Sequence, residues 1–288
     1  MNIHGISFLF LLHMASGYKL VMFVLDISNS QVLFNKRVAE TLADHGHNVT
    51  VVLMQAVDDR AEAEIKFKEN VNVYRVNGSV GVSRQELEEQ QASDYSMFDR
   101  RVWKSMQQGM RLILGSCKNI ISNQEFLTWL QKERFDLAFA HVYQVCPIGL
   151  VQVGRIPTWI WLNRIVANPE TELFREFIDP SFPNLADMAK ECPLVMVNSN
   201  ELYELPRPSL AKVINIGGLG MQLQQSKPLP EEFEKIAANA DGIIIFSFGS
   251  VAPIQKMPKT WKMAFFKAFS KFPNIHFLAR YTGEDVNG

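Results

Sequence analysis

The segment Lys19–Leu25, "KLVMFVL", most constrains the fold, because a largely apolar run of this length is typical of a β-strand buried on both faces. Similar segments recur along the chain, separated by stretches with helical periodicity. They predict further strands at Val49–Leu53, Leu137–Ala140, Thr158–Trp161, Leu194–Val197 and Val213–Ile216. Strands that alternate with helices form βαβ units, so the sequence predicts an α/β fold with a parallel sheet.

The sequence "DISNSQVLF", Asp26–Phe34, lies where the first strand should pass into its first helix. Ligand crevices of open parallel sheets lie at the carboxyl ends of the strands. Gln31 is the side chain best placed to act there. Val38 and Leu42 continue an apolar stripe from Phe34, and Gly46 is suited to end this helix in a left-handed conformation.

Composition excludes several classes of function. The 29 basic and 30 acidic residues give a net charge of −1, so no basic field favours nucleic acid. The three cysteines cannot all pair within one chain, and none has metal-ligand spacing, so we expect no metal site. His45 and His47 form an H-x-H pattern, but their predicted place at a helix end and a strand entry favours structural roles.

The first seventeen residues have the pattern of a signal peptide, with a short apolar stretch before Ala15-Ser-Gly17. The alternative is a buried strand or an overlong first core segment. A signal peptide predicts the secretory pathway, either the endoplasmic reticulum lumen or the exterior. No later stretch is long and apolar enough for a carboxyl-terminal membrane anchor. Of the two N-x-S/T sequons, Asn77 reads as a surface turn, whereas Asn48 opens a predicted buried strand where a glycan would not fit.

The chain length predicts about two domains. We place the first at residues 18–220, a proline-containing linker at 221–230, and a second α/β domain at 231–288. In the second domain the helix-like segment Glu231–Ala238 leads to the strand "GIIIFSFGS", which is followed by an amphipathic helix at Lys259–Lys271 and a strand at His276–Tyr281. This domain is too short to close a nucleotide-binding sheet, so we expect it to be incomplete. In the first domain, the region 83–132 between the predicted strands Val49–Leu53 and Leu137–Ala140 is predicted to be helical.

Several segments resemble the UDP-glucuronosyltransferases, particularly their nematode branch. They are "GHNVTVV", "FPNLADMAKECPLVMVNSNELYELPRPSLAKVINIGGLG", "KPLPEEFEKI" and "IIIFSFGSVAPIQKMPKTWKMAFFKAF". The resemblance implies a GT-B glycosyltransferase architecture with two facing Rossmann-like domains. The amino-terminal domain would bind a small lipophilic acceptor and the carboxyl-terminal domain a UDP-sugar donor such as UDP-glucuronate, with no permanently bound cofactor. It also implies a lumenal location.

The resemblance assigns two catalytic positions in this chain. The family's general base is the histidine of a Ser-His-x-x-Phe element, which falls on Ser30-Gln31-Val32-Leu33-Phe34. An amide does not take up a proton at useful pH, so Gln31 is not a base. The family's acidic partner follows the strand "FDLAFA" and falls on His141. His141 is either a relocated base oriented by Gln31 or a histidine bonded to backbone or solvent.

Two further departures from the family concern the substrate sites. The chain is shortened between 162 and 181, where relatives shape part of the acceptor pocket. The family's main donor signature would lie beyond Gly288, so Ser247, Gly249 and Ser250 are the candidate donor residues, as a turn near the phosphates. The alternative for this turn is a tight strand exit. Without these segments we expect the strands around Thr158 and Gly242 to lose neighbours.

Three interpretations of function follow. The chain is a UDP-glycosyltransferase by ancestry that would transfer glucuronate or another hexose, inactive in its present form. Alternatively, it is a non-catalytic lumenal protein that binds lipophiles or associates with full-length relatives. The third interpretation is an incomplete splice form or gene model.

Overall fold

The computed structural model describes residues 17–27, 29–58, 65–83, 86, 102–140, 145–161, 168–202, 204, 209–219, 228–248 and 254–281. The chain divides into two compact units. Unit 1 holds the described residues of 1–84 and 111–221, and unit 2 holds those of 85–110 and 222–288. No helix within the described ranges has both the length and the apolarity needed to cross a membrane.

Unit 1 contains a seven-stranded sheet, and every neighbouring pair of strands is parallel. This confirms the predicted α/β class with a parallel sheet. The strand order is β3-β2-β1-β4-β5-β6-β7. The strands are β1 Lys19–Asp26, β2 Asn48–Gln55, β3 Val71–Asn77, β4 Leu137–Ala140, β5 Thr158–Trp161, β6 Leu194–Val197 and β7 Val213–Asn215.

Eight α-helices are described in the two units. In chain order they are α1 Asn29–Asp44, α2 Val102–Ile121, α3 Gln124–Glu133, α4 Cys146–Val153, α5 Asn168–Phe177, α6 Leu185–Lys190, α7 Glu231–Ala238 and α8 Lys259–Phe269.

The core of unit 1 lies between β1, β2 and α1. Leu20, Met22 and Val24 are buried on one face of β1 and pack with Val32 and other apolar residues of α1 and β2. Since both faces of β1 and β2 are covered, their sequences are apolar almost throughout. Helix α1 is followed by Gly46 at φ 88°, the left-handed conformation that glycine adopts readily, as its place in the sequence predicts.

The connection between β5 and β6 contains helices α5 and α6. The ring of Phe174 on α5 fills a notch at Gly149 on α4, where an added Cβ would lie 2.2 Å from the ring. Strand β5 pairs with β4 on one side and with β6 on the other. Ile160 of β5 is buried. Strand β5 therefore keeps a strand neighbour on each side, whereas on its faces Thr158 is exposed and Trp159 half-buried, so the expected loss of neighbours that cover apolar faces stays a prediction.

A disulfide joins Cys117 of α2 to Cys146, the first residue of α4, and Cys192 is a buried free cysteine. The sequence alone indicated only that three cysteines leave one unpaired. The bond links α4, which follows β4, to α2, which precedes β4. The two cysteines are 29 residues apart in sequence.

Unit 2 contains a two-stranded parallel sheet of β8 Gly242–Phe246 and β9 Ile275–Ala279. Helix α8 packs on one face of it: the ring of Phe269 stacks on Phe277 at 4.2 Å and lies 5.2 Å from Phe246. On β8, Ile243, Ile244 and Ile245 are exposed, and Ile245 is 77% exposed. Within the described residues, β8 therefore leaves apolar side chains uncovered.

Candidate active site at the switch point of the sheet

The order of the strands defines one crevice in unit 1. From β1 the chain moves outward to β2 and β3, and it then returns to the opposite side of β1 with β4. The connections after β1 and β4 therefore diverge, which is the switch-point arrangement where open α/β sheets bind ligands. In the register of the two strands Phe23 pairs with Ala140, so β1 extends three residues beyond the last residue of β4, to Asp26.

Gln31 lies beside this crevice in the first turn of α1, the helix that follows β1. Its backbone carbonyl accepts a hydrogen bond from Asn35 Nδ2 at 2.9 Å. Its side chain is half-buried, and Oε1 is buried without a hydrogen-bond partner among the described residues. A buried amide oxygen without a partner costs about 1–3 kcal/mol. Gln31 thus offers an amide at the position where the family resemblance requires a base.

His141 follows β4 directly in sequence but lies outside the described residues. The topology places the end of β4 next to β1, and the position of the His141 side chain stays a prediction. The alternative roles we gave His141, a relocated base or a structural histidine, therefore both stay open.

Glu170, in the first turn of α5, is a buried carboxyl group that sequence reasoning missed. It accepts hydrogen bonds from the backbone N–H of Val145 at 2.9 Å and of Cys146 at 3.4 Å, where α4 begins. Its side chain is only 2% exposed. Burial raises the pKa of Glu170 to about 7, while the two backbone hydrogen bonds oppose the rise. The acidic residue at a helix start was the available signal, but nothing in the sequence indicated its burial.

Thr171, the next residue on α5, accepts a hydrogen bond from the amino terminus of a second helix. Its Oγ1 accepts a hydrogen bond from the N–H of Leu185 at 3.1 Å, at the first residue of α6. The first turn of α5 therefore supplies acceptors to the amino termini of both α4 and α6. This explains how a short segment between β5 and β6 is held in place.

The two histidines of the H-x-H pattern make contacts that fit structural roles. His45 Nδ1 lies 2.7 Å from the carbonyl oxygen of Thr41, and His47 Nδ1 accepts from the N–H of Tyr18 at 3.2 Å. Over the part of the chain that is described, no group of three or more His, Cys, Asp or Glu side chains has an arrangement suited to a metal ion.

The proposed donor turn belongs to unit 2. Ser247 follows β8 directly, whereas Gly249 and Ser250 lie outside the described residues, so the phosphate contact stays a prediction.

Lys262 of α8 is a buried cation that the sequence did not predict. Its Nζ donates to the carbonyl of Gln255 at 3.0 Å and to the hydroxyl of Tyr281 at 3.2 Å. Lys262 is 3% exposed.

Comparison with known proteins identifies a family. The model of the family described as "UDP-glucoronosyl and UDP-glucosyl transferase" matches residues 19–185 and 181–287. The Caenorhabditis elegans protein ugt-47 is 22% identical, over 98% of this chain and 62% of its own length. The mouse UDP-glucuronosyltransferase 1A7 is also 22% identical, over 91% of this chain and 58% of its own length. The chain thus spans about three fifths of the length of these curated relatives.

Two solved structures share the fold. The glycotransferase of kitacinnamycin has a TM-score of 0.56 and 14% identity, over 94% of this chain and 68% of that one. UGT89C1 of Arabidopsis thaliana, complexed with UDP-L-rhamnose, has a TM-score of 0.51 and 12% identity, over 95% of this chain and 67% of that one. The expected GT-B type of glycosyltransferase fold is thereby confirmed.

Proposed function

Because the chain belongs to the family of UDP-glucuronosyl and UDP-glucosyl transferases, we propose that unit 1 is the acceptor-side unit of an enzyme that uses a UDP-sugar, with glucuronate or another hexose, and a small lipophilic alcohol or phenol. We further propose that it does not catalyse transfer as it stands. The observation that carries the second proposal is Gln31, which lies beside the switch-point crevice in the first turn after β1.

The chemistry explains why this position matters. The acceptor oxygen forms a bond to the anomeric carbon of the sugar while the bond from that carbon to the UDP oxygen breaks, and the hydroxyl proton must pass to a base. A positioned general base is worth about 10²- to 10⁴-fold in rate. The Gln31 amide accepts a hydrogen bond but does not take up the proton. Transfer therefore lacks a proton acceptor at position 31.

Glu170 does not replace the base, although its pKa of about 7 suits proton transfer. Its carboxylate oxygens accept from Val145 and Cys146, and the side chain is 2% exposed. At this degree of burial the carboxyl group is not accessible to an acceptor hydroxyl. We therefore assign Glu170 a structural role.

The test uses a chimera with ugt-47. Residues from the corresponding connection of ugt-47 are inserted before Asn168, which keeps α5 with its contacts, and the carboxyl-terminal part of ugt-47 is joined after Ser250. We expect no UDP release from UDP-glucuronate with a panel of phenols while Gln31 and His141 are present. Release should appear in the chimera with both Gln31→His and His141→Asp. Gln31→Asn with His141→Asp is the matched control, since it alters both positions but provides no base at position 31.

The opposite result is equally clear. If the unmodified 288-residue chain releases UDP in an acceptor-dependent way, Gln31 does not mark an inactive site. His141→Ala then tests whether the relocated histidine supplies the base.

We also propose that the protein resides in the secretory pathway. The signal-like pattern of residues 1–17 supports this, and so does the Cys117–Cys146 disulfide, because disulfides persist mainly in oxidising compartments. Material recovered from the medium of a secretory host should begin at or near Tyr18 by intact mass. An intact Met1 on secreted protein would show that residues 1–17 are not cleaved.

A further inference from the structure

We propose that Asn77 carries an N-linked glycan and that Asn48, in the second sequon, does not. Asn77 is the last residue of β3, an edge strand of the seven-stranded sheet, and it is exposed. Its Oδ1 accepts a hydrogen bond from the N–H of Ser79 at 2.9 Å. The amide nitrogen Nδ2, which would carry the sugar, has no hydrogen bond within the described structure.

The turn that carries Asn77 is fixed from several sides. Ser79 Oγ accepts from the N–H of Gly81 at 3.2 Å, and the Ser79 carbonyl accepts from Asn119 Nδ2 of α2 at 2.6 Å. Gly78 packs against α2 so closely that an added Cβ would lie 2.7 Å from Ser116 Oγ. With residue 78 pressed against the helix and residue 77 exposed, the sequon forms a rigid surface turn.

The modification itself is compatible with every one of these contacts. A transferase moves an oligosaccharide from a lipid diphosphate: the bond from Nδ2 to the first sugar carbon forms, and the bond from that carbon to the diphosphate oxygen breaks. The lipid diphosphate leaves, and one amide proton passes to the transferase. Oδ1 of Asn77 stays an amide oxygen, so its bond from Ser79 is kept. The glycan would add no buried group to the fold.

Asn48 differs in its surroundings. It is exposed at the first position of β2, and the strand that it opens is buried, as the sequence predicts. The rest of its sequon is buried: Val49 is 0% and Thr50 6% exposed. Asn48 pairs with Lys19 of β1, and its Oδ1 accepts from Asn72 Nδ2 of β3 at 3.0 Å.

The local character of the turn also favours Asn77. The hydrogen bond between Asn77 and Ser79 joins residues two apart, so this part of the turn can form in the nascent chain before α2 packs against it. The sequon at Asn48 contains the β-branched residues Val49 and Thr50, which favour an extended conformation. Val49 and Thr50 are buried once β2 pairs with β1 and β3. Asn77 stays accessible before and after the sheet forms, which predicts its selective modification.

The experiment expresses the full chain in a eukaryotic secretory host, with residues 1–17 replaced by a cleavable leader that ensures entry into the lumen. Mobility is compared before and after peptide N-glycosidase, on whole-cell extracts so that poorly folded variants are also scored. Heavy-oxygen labelling during deglycosylation then identifies the modified asparagine by mass. The variants are Asn77→Gln, Ser79→Ala, Ser79→Thr and Asn48→Gln.

We expect a single glycan that is lost in Asn77→Gln and in Ser79→Ala and kept in Ser79→Thr and in Asn48→Gln. Ser79→Ala keeps the hydrogen bond from the residue 79 N–H to Asn77 Oδ1 but removes the sequon hydroxyl together with its bond from Gly81, and Ser79→Thr restores the hydroxyl, so the pair links modification to the hydroxyl. An unshifted wild-type chain overturns the proposal, and so does a glycan that disappears in Asn48→Gln or a second glycan at Asn48. None of these outcomes depends on transferase activity.

Discussion

Glu170 makes the stability of unit 1 depend on pH in a direction opposite to that of most carboxylates. Burial raises its pKa from 4.5 to about 7, so the folded state holds a proton that the unfolded state has already lost. Between these two pH values the folded state binds more protons, and stability falls as pH rises. The contribution of Glu170 is therefore fully present below pH 4.5 and is lost as the pH rises through about 7.

The interval between the two pKa values sets the magnitude. One pH unit over which the folded state holds one extra proton is worth about 1.36 kcal/mol. From 4.5 to about 7, the ionisation of Glu170 should therefore lower the free energy of unfolding by about 3 kcal/mol. This is a large fraction of the 5–15 kcal/mol that is typical of a domain.

The informative perturbation is Glu170→Gln. The amide oxygen still accepts from the N–H of Val145, but the side chain no longer ionises. Any cost of the extra N–H₂ group is the same at every pH, whereas the penalty of ionisation is present only in the wild type. Relative to the wild type, the variant should therefore gain about 3 kcal/mol in free energy of unfolding between pH 4.5 and pH 8.

Urea unfolding followed by tryptophan fluorescence at several pH values measures this difference. Glu172→Gln is the control, because Glu172 lies on the same helix with its side chain 70% exposed, in a surface ion pair with Arg175. Its substitution should leave the pH dependence within about 1 kcal/mol of the wild type. If Glu170→Gln differs from the wild type by the same amount at pH 4.5 and pH 8, Glu170 does not ionise as a buried group.

Two further predictions concern the disulfide and the exposed strand. The double substitution Cys117→Ser with Cys146→Ser should lower the free energy of unfolding by about 3–4 kcal/mol, the chain-entropy value for a loop of 29 residues; an unchanged urea midpoint for the variant and the oxidised wild type would refute it. The 288-residue chain should self-associate through the apolar edge at β8, and Ile245→Lys should shift it towards monomer in light scattering. Phe246→Lys, which removes the aromatic contact to α8, should instead unfold unit 2.

The strands were predictable where the sequence contains a continuous apolar run. The predicted bounds of β4, β5 and β6 agree with the structure to the residue. Strand β3 was not predicted, because it is an edge strand that carries Asn72, Arg75 and other exposed residues. The region predicted as one helical stretch contains two described helices, because the side chain of Asn123 caps a new helix by accepting from the N–H of Phe126.

The candidate site was predictable only as far as local sequence determines it. Gln31 follows β1 as expected, because strand and helix are consecutive in the chain. The disulfide and the burial of Glu170 depend on which helices meet in three dimensions, and neither the spacing of cysteines nor the charge of a side chain specifies that. Lys262 is a similar case, since a charged residue on an amphipathic helix is ordinarily exposed.

The notch at Gly149 also determines where this chain tolerates changes in length. Phe174 fits only opposite a residue without a side chain, so α5 cannot slip along α4 by one position without meeting Ile148 or Leu150. An insertion within α5 would rotate Phe174 out of the notch and carry Glu170 and Thr171 away from the helices that they cap. Added residues placed before Asn168 keep that register. During evolution, the connection between β5 and β6 can therefore lengthen or shorten ahead of α5 while the helix itself stays fixed.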